Sequence, residues 1–119
     1  MASKRNLQVA EIIKRNFGTV LYQEGSYIYG DALVTVTNVK LTPDQGQANI
    51  YLSIYNTDNK EAVLNLVQKQ THKLRQSLAY RIKKHVRRIP TIHFYIDEML
   101  DEMYKLNALF DTIGKSEEE

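Results

Sequence analysis

The chain has 119 residues, of which 43% are hydrophobic and 25% charged, and these proportions predict one globular domain with a single modest core. There is no cysteine, which excludes disulfides and thiol catalysis and fits a reducing cytoplasm. No apolar run approaches the length of a membrane span, and the first residues lack the apolar core of a signal peptide. We therefore expect a cytoplasmic protein.

The first predicted element is an amphipathic helix over residues 4–22, with Ser3 as its N-cap. Its apolar residues fall on one helical face, which comprises Leu7, Ala10, Ile13 and Phe17. Residues 23–31 contain two glycines and are expected to form a loop.

Two strands follow, at Leu33–Leu41 and Gln47–Tyr55, where β-branched and aromatic residues are frequent and apolar and polar residues alternate. The intervening residues 42–46 contain Pro43, which is suited to a turn, and Gly46, which can adopt positive φ. The strands are therefore predicted to pair as a hairpin.

A long helical pattern then runs from Asp58, a predicted cap with Glu61 three residues on, to Pro90. Its apolar residues form two stripes. The first comprises Val63, Leu66, Val67 and Leu74, and the second comprises Leu78, Ile82, Val86 and Ile89. Because the stripes differ in direction by roughly 95° at about 100° per residue, both can face one core only if the helix kinks between them. The stripes place the kink between Gln70 and Ser77, with Gln70 as the weak point because it lies on the first stripe where an apolar residue is expected.

Thr91–Asp97 is predicted as a third short strand, followed by a helix that Gly114 closes. The predicted order gives an α+β fold with the topology of a type II KH domain, α-β-β-α-(kink)-α-β, and an extra C-terminal helix. A KH domain clamps RNA with a GxxG loop, which this chain lacks because no glycine lies between residues 47 and 113. We expect residues 1–114 to form one domain and residues 115–119 to be a disordered acidic tail.

Positive charge is concentrated in the middle of the chain. Residues 62–96 contain no acidic residue and hold eight of the sixteen lysines and arginines. Arg81, Lys84, His85 and Arg88 recur at helical spacing beside the second stripe, with Lys83 and Arg87 in an adjoining row. A solvated helix face is the simpler interpretation, but uncompensated like charges destabilise a helix, so an anionic partner is favoured. The predicted RNA-binding residues are Lys73, Arg75, Arg81, Lys84, His85, Arg87 and Arg88.

Short segments spread over residues 5–113 also carry a family resemblance. They are Val9-Ala10-Glu11, Val34 to Val39 with Thr42 and Asp44, Ala48 to Ser53, Leu74-Arg75 with Leu78, then Arg87, Pro90, Phe94 and Asp97, and finally Leu106 to Phe110. In this order and spacing they resemble the ribosome-binding factor A family, a bacterial factor of small-subunit assembly.

The resemblance implies a KH-like fold in which a kink at Ala-x-Gly replaces the GxxG loop. It also implies binding to the 30S subunit and 16S rRNA, with support for late 30S maturation and rRNA processing, notably in the cold. Aligned through Leu74-Arg75, the family kink falls on Gln70, Thr71 and His72, where neither the alanine nor the glycine is present.

Other chemistry is weakly supported by the sequence. The three histidines have no pairwise helical spacing, so a metal site is not expected. The carboxylates Asp97, Glu98, Asp101 and Glu102 could bind Mg²⁺, but acids are common at the start of a helix. No nucleophile–base set, phosphate loop or cofactor motif is present, and we expect no catalysis, cofactor or small-molecule substrate. Tyr51, Tyr55 and Tyr95 are predicted on the sheet face away from the helices, where they could pack across strands or stack on bases.

The function favoured by these observations is a non-catalytic, monomeric factor that binds the 30S subunit and 16S rRNA. Two alternatives stay open at this point. One is a DNA-binding or nucleoid-associated protein of similar fold, although the cations do not cluster at the N-terminus of a second helix, where base contacts are expected. The other is a protein–protein adaptor that uses the exposed tyrosines.

Overall fold

The computed structural model describes residues 3–97, and the predicted C-terminal helix and acidic tail lie outside this range. Within it, the elements are α1 (Lys4–Tyr29), β1 (Leu33–Leu41), β2 (Gln47–Tyr55), α2 (Lys60–Lys69), α3 (Thr71–Ile82) and β3 (Thr91–Ile96). No helix in this part of the chain is long and apolar enough to cross a membrane.

Helix α1 is longer than predicted. It begins after Ser3, whose Oγ accepts a hydrogen bond from the amide of Asn6 at 3.0 Å, and it ends at Gly30, whose φ is 67°. The predicted loop at 23–31 is therefore mostly helical. The reason is that burial continues past Phe17 through Leu21 and Gly25 at helical spacing, so that extending the helix adds to the core.

The buried stripe of α1 is also turned slightly from the predicted one. Val9, Ile13 and Phe17 are each at most 1% exposed, whereas Leu7 is 62% exposed, contrary to prediction. At about 100° per residue, Leu7 lies roughly 100° from the centre of the stripe, which falls on Asn6. Asn6 is accordingly buried despite its polarity.

The two predicted strands of the hairpin are confirmed at both ends. They pair antiparallel from Leu33 opposite Tyr55 to Leu41 opposite Ala48, with a bulge at Thr37. The positive φ in the connecting turn belongs to Gln45 (59°) and not to Gly46, which corrects the prediction. Gln45 is held there because its Nε2 donates to Asn6 Oδ1 at 2.7 Å, so the turn is tied to the first turn of α1.

Strand β3 completes the sheet by pairing parallel to β2, giving the order β1-β2-β3. The inward residues of β2 and β3 form one core with residues of all three helices: Ala48, Ile50, Leu52, Ile54, Ile92 and Phe94 on the sheet, and Ile13, Phe17, Val67, Leu74, Leu78 and Ile82 on the helices. The helices therefore lie on one face of a three-stranded sheet. The predicted KH-like α+β fold is confirmed.

The long helical pattern is divided at Gln70, which ends α2 and precedes α3. Its φ and ψ of −100° and 14° leave the helical region, and its amide donates to Val67 O, one residue short of the α-helical partner. Thr71 Oγ1 donates to Gln68 O at 2.6 Å and satisfies a carbonyl at the break. The cap of α2 is Asn59, whose Oδ1 accepts from Ala62 N, and not Asp58 as predicted.

Candidate nucleic-acid interface

Helix α3 ends at Ile82, earlier than the predicted end near Ile89. The amides of His85 and Val86 both donate to Ile82 O, at 2.8 and 3.0 Å, so the backbone closes into a turn. This turn brings Val86, 6% exposed, back onto the core beside Ile82. The predicted helical rows of charge are therefore wrong, because Lys84, His85 and Arg88 belong to a loop and not to a helix face.

The loop nevertheless brings most of the predicted cations together. With α1 and the hairpin turn it lines a cavity of about 410 Å³. We define the basic cluster as the lysine, arginine and histidine side chains of this cavity, which are Arg5, Lys83, Lys84, His85, Arg87 and Arg88. All six residues are exposed. A concave surface with five permanent cations is suited to a polyanion, whose phosphates each cation can approach from water.

Two residues of the basic cluster were not among the predicted RNA-binding residues. Lys83 lies next to Lys84 in the loop, and its Nζ is 4.9 Å from the ring centroid of Tyr80. Arg5 comes from the first turn of α1, 80 residues away, and its Nη2 donates to His85 O at 3.2 Å. No periodicity connects Arg5 with the loop, and only the tertiary fold shows that they are neighbours.

One carboxylate, Asp44 of the hairpin turn, also lines the cavity. Its Oδ1 accepts from Thr42 Oγ1 at 2.7 Å and from Gly46 N at 3.0 Å. The hydroxyl of Thr42 contributes most to holding the pKa of Asp44 below its ordinary value, and the positive charge of Arg88 contributes least. Asp44 is thus engaged in shaping the turn, and its charge is directed chiefly to these donors.

Arg75 does not belong to the basic cluster. Its Nε donates to Pro90 O at 2.9 Å and its Nη2 to Ile89 O at 2.7 Å. This half-buried guanidinium therefore fixes the end of the loop against α3, just before β3 begins. Its geometry is that of a structural residue.

Arg81 lies on a different surface, in a groove between α1 and α3 with a volume of about 440 Å³. Its Nε is 3.4 Å from Asn16 Oδ1. Lys73 is exposed in the first turn of α3, about 15 Å along the helix axis from the loop. The seven predicted residues thus divide into four in the basic cluster and three elsewhere.

The break between α2 and α3 borders a second cavity, of about 280 Å³. It is lined by Gln68, Thr71, Ile92, His93, Phe94 and Tyr95. His72 is exposed beside it, with its Nε2 3.2 Å from Nε2 of Gln76. The three predicted kink residues are therefore adjacent to the edge of β3, and Gln70 and His72 are open to solvent.

Within residues 3–97, no three His, Asp or Glu side chains are grouped so that they could hold a metal ion. Glu98, Asp101 and Glu102 of the carboxylate pairs considered above lie outside these residues.

Comparison with known proteins agrees with this architecture. The sequence model of the family described as "Ribosome-binding factor A" matches residues 5–110. Ribosome-binding factor A of Cytophaga hutchinsonii is 34% identical over all of this chain and 91% of its own length.

Two solved structures share the fold. The crystal structure of ribosome-binding factor A from Thermus thermophilus gives a TM-score of 0.65 at 21% identity, covering 76% of this chain and 94% of that one. A homology model of the Thermus thermophilus factor, fitted into a cryo-electron-microscopy map of its 30S complex, gives a TM-score of 0.57 at 23% identity, covering 71% of this chain and 86% of that one. With the family match over most of its length, the chain belongs to the ribosome-binding factor A family.

Proposed function

We propose that this protein is a non-catalytic assembly factor that binds the 30S ribosomal subunit and contacts 16S rRNA through the basic cluster. It would support late maturation of the subunit and act in the cytoplasm, where the subunit is assembled. The family's name describes binding and not a reaction, which supports a role without catalysis.

The observation that carries the proposal is the concave arrangement of Arg5, Lys83, Lys84, Arg87 and Arg88 around one cavity. Cations that approach phosphates release condensed counterions, which favours binding without reading base sequence. Since the loop is fixed to the fold through Val86 and through Arg75, the cations are presented on a supported backbone and lose less conformational freedom on binding.

The Thermus thermophilus relative fitted into a 30S map supports the ribosome as the target. The DNA-binding alternative gains no such support from the relatives described above. A duplex DNA competitor therefore belongs in the assay as a comparison, because phosphate contacts alone do not distinguish the two polyanions.

The test compares two triple variants of equal charge. Lys84→Gln, Arg87→Gln and Arg88→Gln neutralise the loop, whereas the control carries Lys14→Gln, Arg15→Gln and Lys69→Gln on α1 and α2. Both lower the net charge from +2 by the same amount. Affinity for purified 30S subunits is measured as a function of salt, and far-ultraviolet circular dichroism checks folding.

Each phosphate contact contributes roughly 0.7–0.9 to the slope of log affinity against log salt concentration. The loop variant is expected to lower that slope by about 2–3, and the control variant by less than about 1. Equal slopes for the two variants would refute the assignment of the interface to the loop. A preference for duplex DNA over 30S subunits would overturn the proposed target.

A further inference from the structure

The sheet has an outer face, which is turned away from the three helices and contains no residue of the basic cluster. Its central feature is a pair of rings. Tyr51 of β2 is the register partner of Tyr95 of β3, and their ring centroids are 5.6 Å apart with 29° between the planes. Tyr95 is 43% exposed although it lies in a strand. Two neighbouring rings, one of them open to solvent, form a flat aromatic surface.

The surroundings of the rings are polar and cationic. Lys40 Nζ of β1 is 5.3 Å from the ring centroid of Tyr51. Asn49 and His93, which are partners in the register of β2 and β3, lie one step along the same face. None of the three strands contains an acidic residue, and Asp97, which directly follows β3, accepts a hydrogen bond from Thr37 Oγ1 of β1 at 2.6 Å. This combination of ring, amide and cation resembles surfaces that bind single-stranded nucleic acid.

The accessible part of the outer face lies toward the basic cluster. Ser53, farther along β2, is only 1% exposed, whereas Lys40, His93 and Tyr95 are exposed. The start of β3 is joined to the hairpin turn that lines the cluster's cavity, because Thr91 N donates to Gly46 O at 2.9 Å. Four residues at about 3.3 Å each place Tyr95 roughly 13 Å beyond Thr91. A bound strand can therefore pass from the cluster onto the rings without leaving the surface.

We propose that this outer face binds an unpaired RNA segment by stacking bases on Tyr51 and Tyr95, with Lys40 beside the backbone. The proposal rests on the proposed function, since the same RNA would be held by its phosphates at the basic cluster. Stacking requires an exposed base, so the ligand is single-stranded RNA or a loop and not the interior of a duplex. The face would thereby add a preference for unpaired segments that phosphate contacts cannot provide.

The test uses two probes of equal length, an oligouridylate and the matching abasic oligoribonucleotide, which keeps the phosphates and lacks the bases. The variant Tyr51→Ile with Tyr95→Ile removes the rings and replaces them with β-branched residues, which also favour strands. The variant Tyr51→Phe with Tyr95→Phe keeps both rings. The control is Tyr22→Leu with Tyr27→Leu, since these α1 side chains are 89% and 91% exposed. Tyr95→Ile alone serves if the double variant does not fold.

We expect the native protein to bind the base-bearing probe at least about fivefold more tightly than the abasic one. The isoleucine variant should lose this preference, while the phenylalanine and control variants keep it. The salt slope should be unchanged in the isoleucine variant, because no phosphate contact is removed.

Two results would overturn the proposal. One is an isoleucine variant that retains the preference for bases. The other is a loss of 30S affinity without any loss of oligonucleotide affinity, which would identify a ribosomal protein as the partner of this face. If the basic cluster does not bind phosphates, the triple glutamine variant will show this separately through its salt slope. In that case the ratio of affinities for the two probes still tests whether bases stack on the rings.

Discussion

Replacing Arg75 by glutamine is expected to lower the free energy of unfolding by about 2–4 kcal/mol without changing the salt dependence of RNA binding. The guanidinium donates to Ile89 O at 2.7 Å and to Pro90 O at 2.9 Å. A hydrogen bond from a charged donor contributes roughly 1.5–3 kcal/mol, so two contribute about 3–6 kcal/mol. Because the side chain is only half-buried, water would replace part of the hydrogen bonding to these carbonyls in the variant. This reduces the expected loss of unfolding free energy.

Urea unfolding measures the effect. With an m-value of about 2 kcal/mol per molar, a loss of this size lowers the midpoint by roughly 1–2 M while the m-value stays constant. Arg75→Lys should recover about half of the loss, because an ammonium can reach one carbonyl but cannot donate to both in the geometry of a guanidinium. The control Arg15→Gln, on the exposed surface of α1, should remain within about 0.5 kcal/mol of the native protein.

The result that would refute this reasoning is an unchanged midpoint for Arg75→Gln together with a salt slope lowered by roughly 0.7–0.9. That outcome would mean that Arg75 contacts a phosphate and does not fix the loop. A folded variant with a lowered midpoint and the native slope agrees with the structural role.

Two further changes test other contacts. Asn6→Ala should destabilise the protein by about 1–3 kcal/mol, because it removes a buried amide whose Nδ2 donates to Thr42 O at 3.2 Å and whose Oδ1 accepts from Gln45 at 2.7 Å. A thermal midpoint equal to that of the native protein would contradict this. The double change Gln70→Leu and Thr71→Ala is expected to straighten the helix break and weaken 30S binding with an unchanged salt slope, since no charge is lost. Native affinity in that variant would show that the break does not contribute to the interface.

The sheet could be predicted from the sequence because apolar residues alternate with other residues along β2. The inward set Ala48, Ile50, Leu52 and Ile54 leaves only one register in which the strand faces the core. The helix break was also predictable, since two stripes of different direction cannot face one core from a single straight helix. Each of these local patterns is compatible with only one arrangement of the backbone relative to the core.

The ends of the helices could be predicted less well. The two glycines of residues 23–31 predicted a loop, but Leu21 and Ile28 continue the apolar spacing and pack on the core, so α1 continues to Tyr29. After Ile82, Val86 fits a continuing helix and a turn equally well, because both conformations return it to the same side. Periodicity alone cannot distinguish the two.

Long-range contacts could not be predicted from the sequence at all. Arg75 was interpreted as an RNA ligand because it is a cation in a basic window, and nothing local shows that two carbonyls 14 and 15 residues later accept from it. Nothing in the sequence around Arg5 connects it with His85, and its place beside that residue depends on how the helix crosses the loop. The cationic composition of the basic cluster was predictable, whereas tertiary packing decides which residues belong to it.

The late arrival of β3 has a consequence for folding during synthesis. Thr91, which begins this strand, donates to Gly46 O although it lies 45 residues later in the chain, and the parallel partner β2 is complete long before β3 is made. Until β3 emerges from the ribosome, one edge of β2 has no partner strand and its apolar residues are incompletely covered. At roughly 5–20 residues per second, that interval lasts several seconds, during which the nascent chain is open to misassociation and to chaperones. The rate of folding should accordingly be limited by this distant pairing and not by the hairpin.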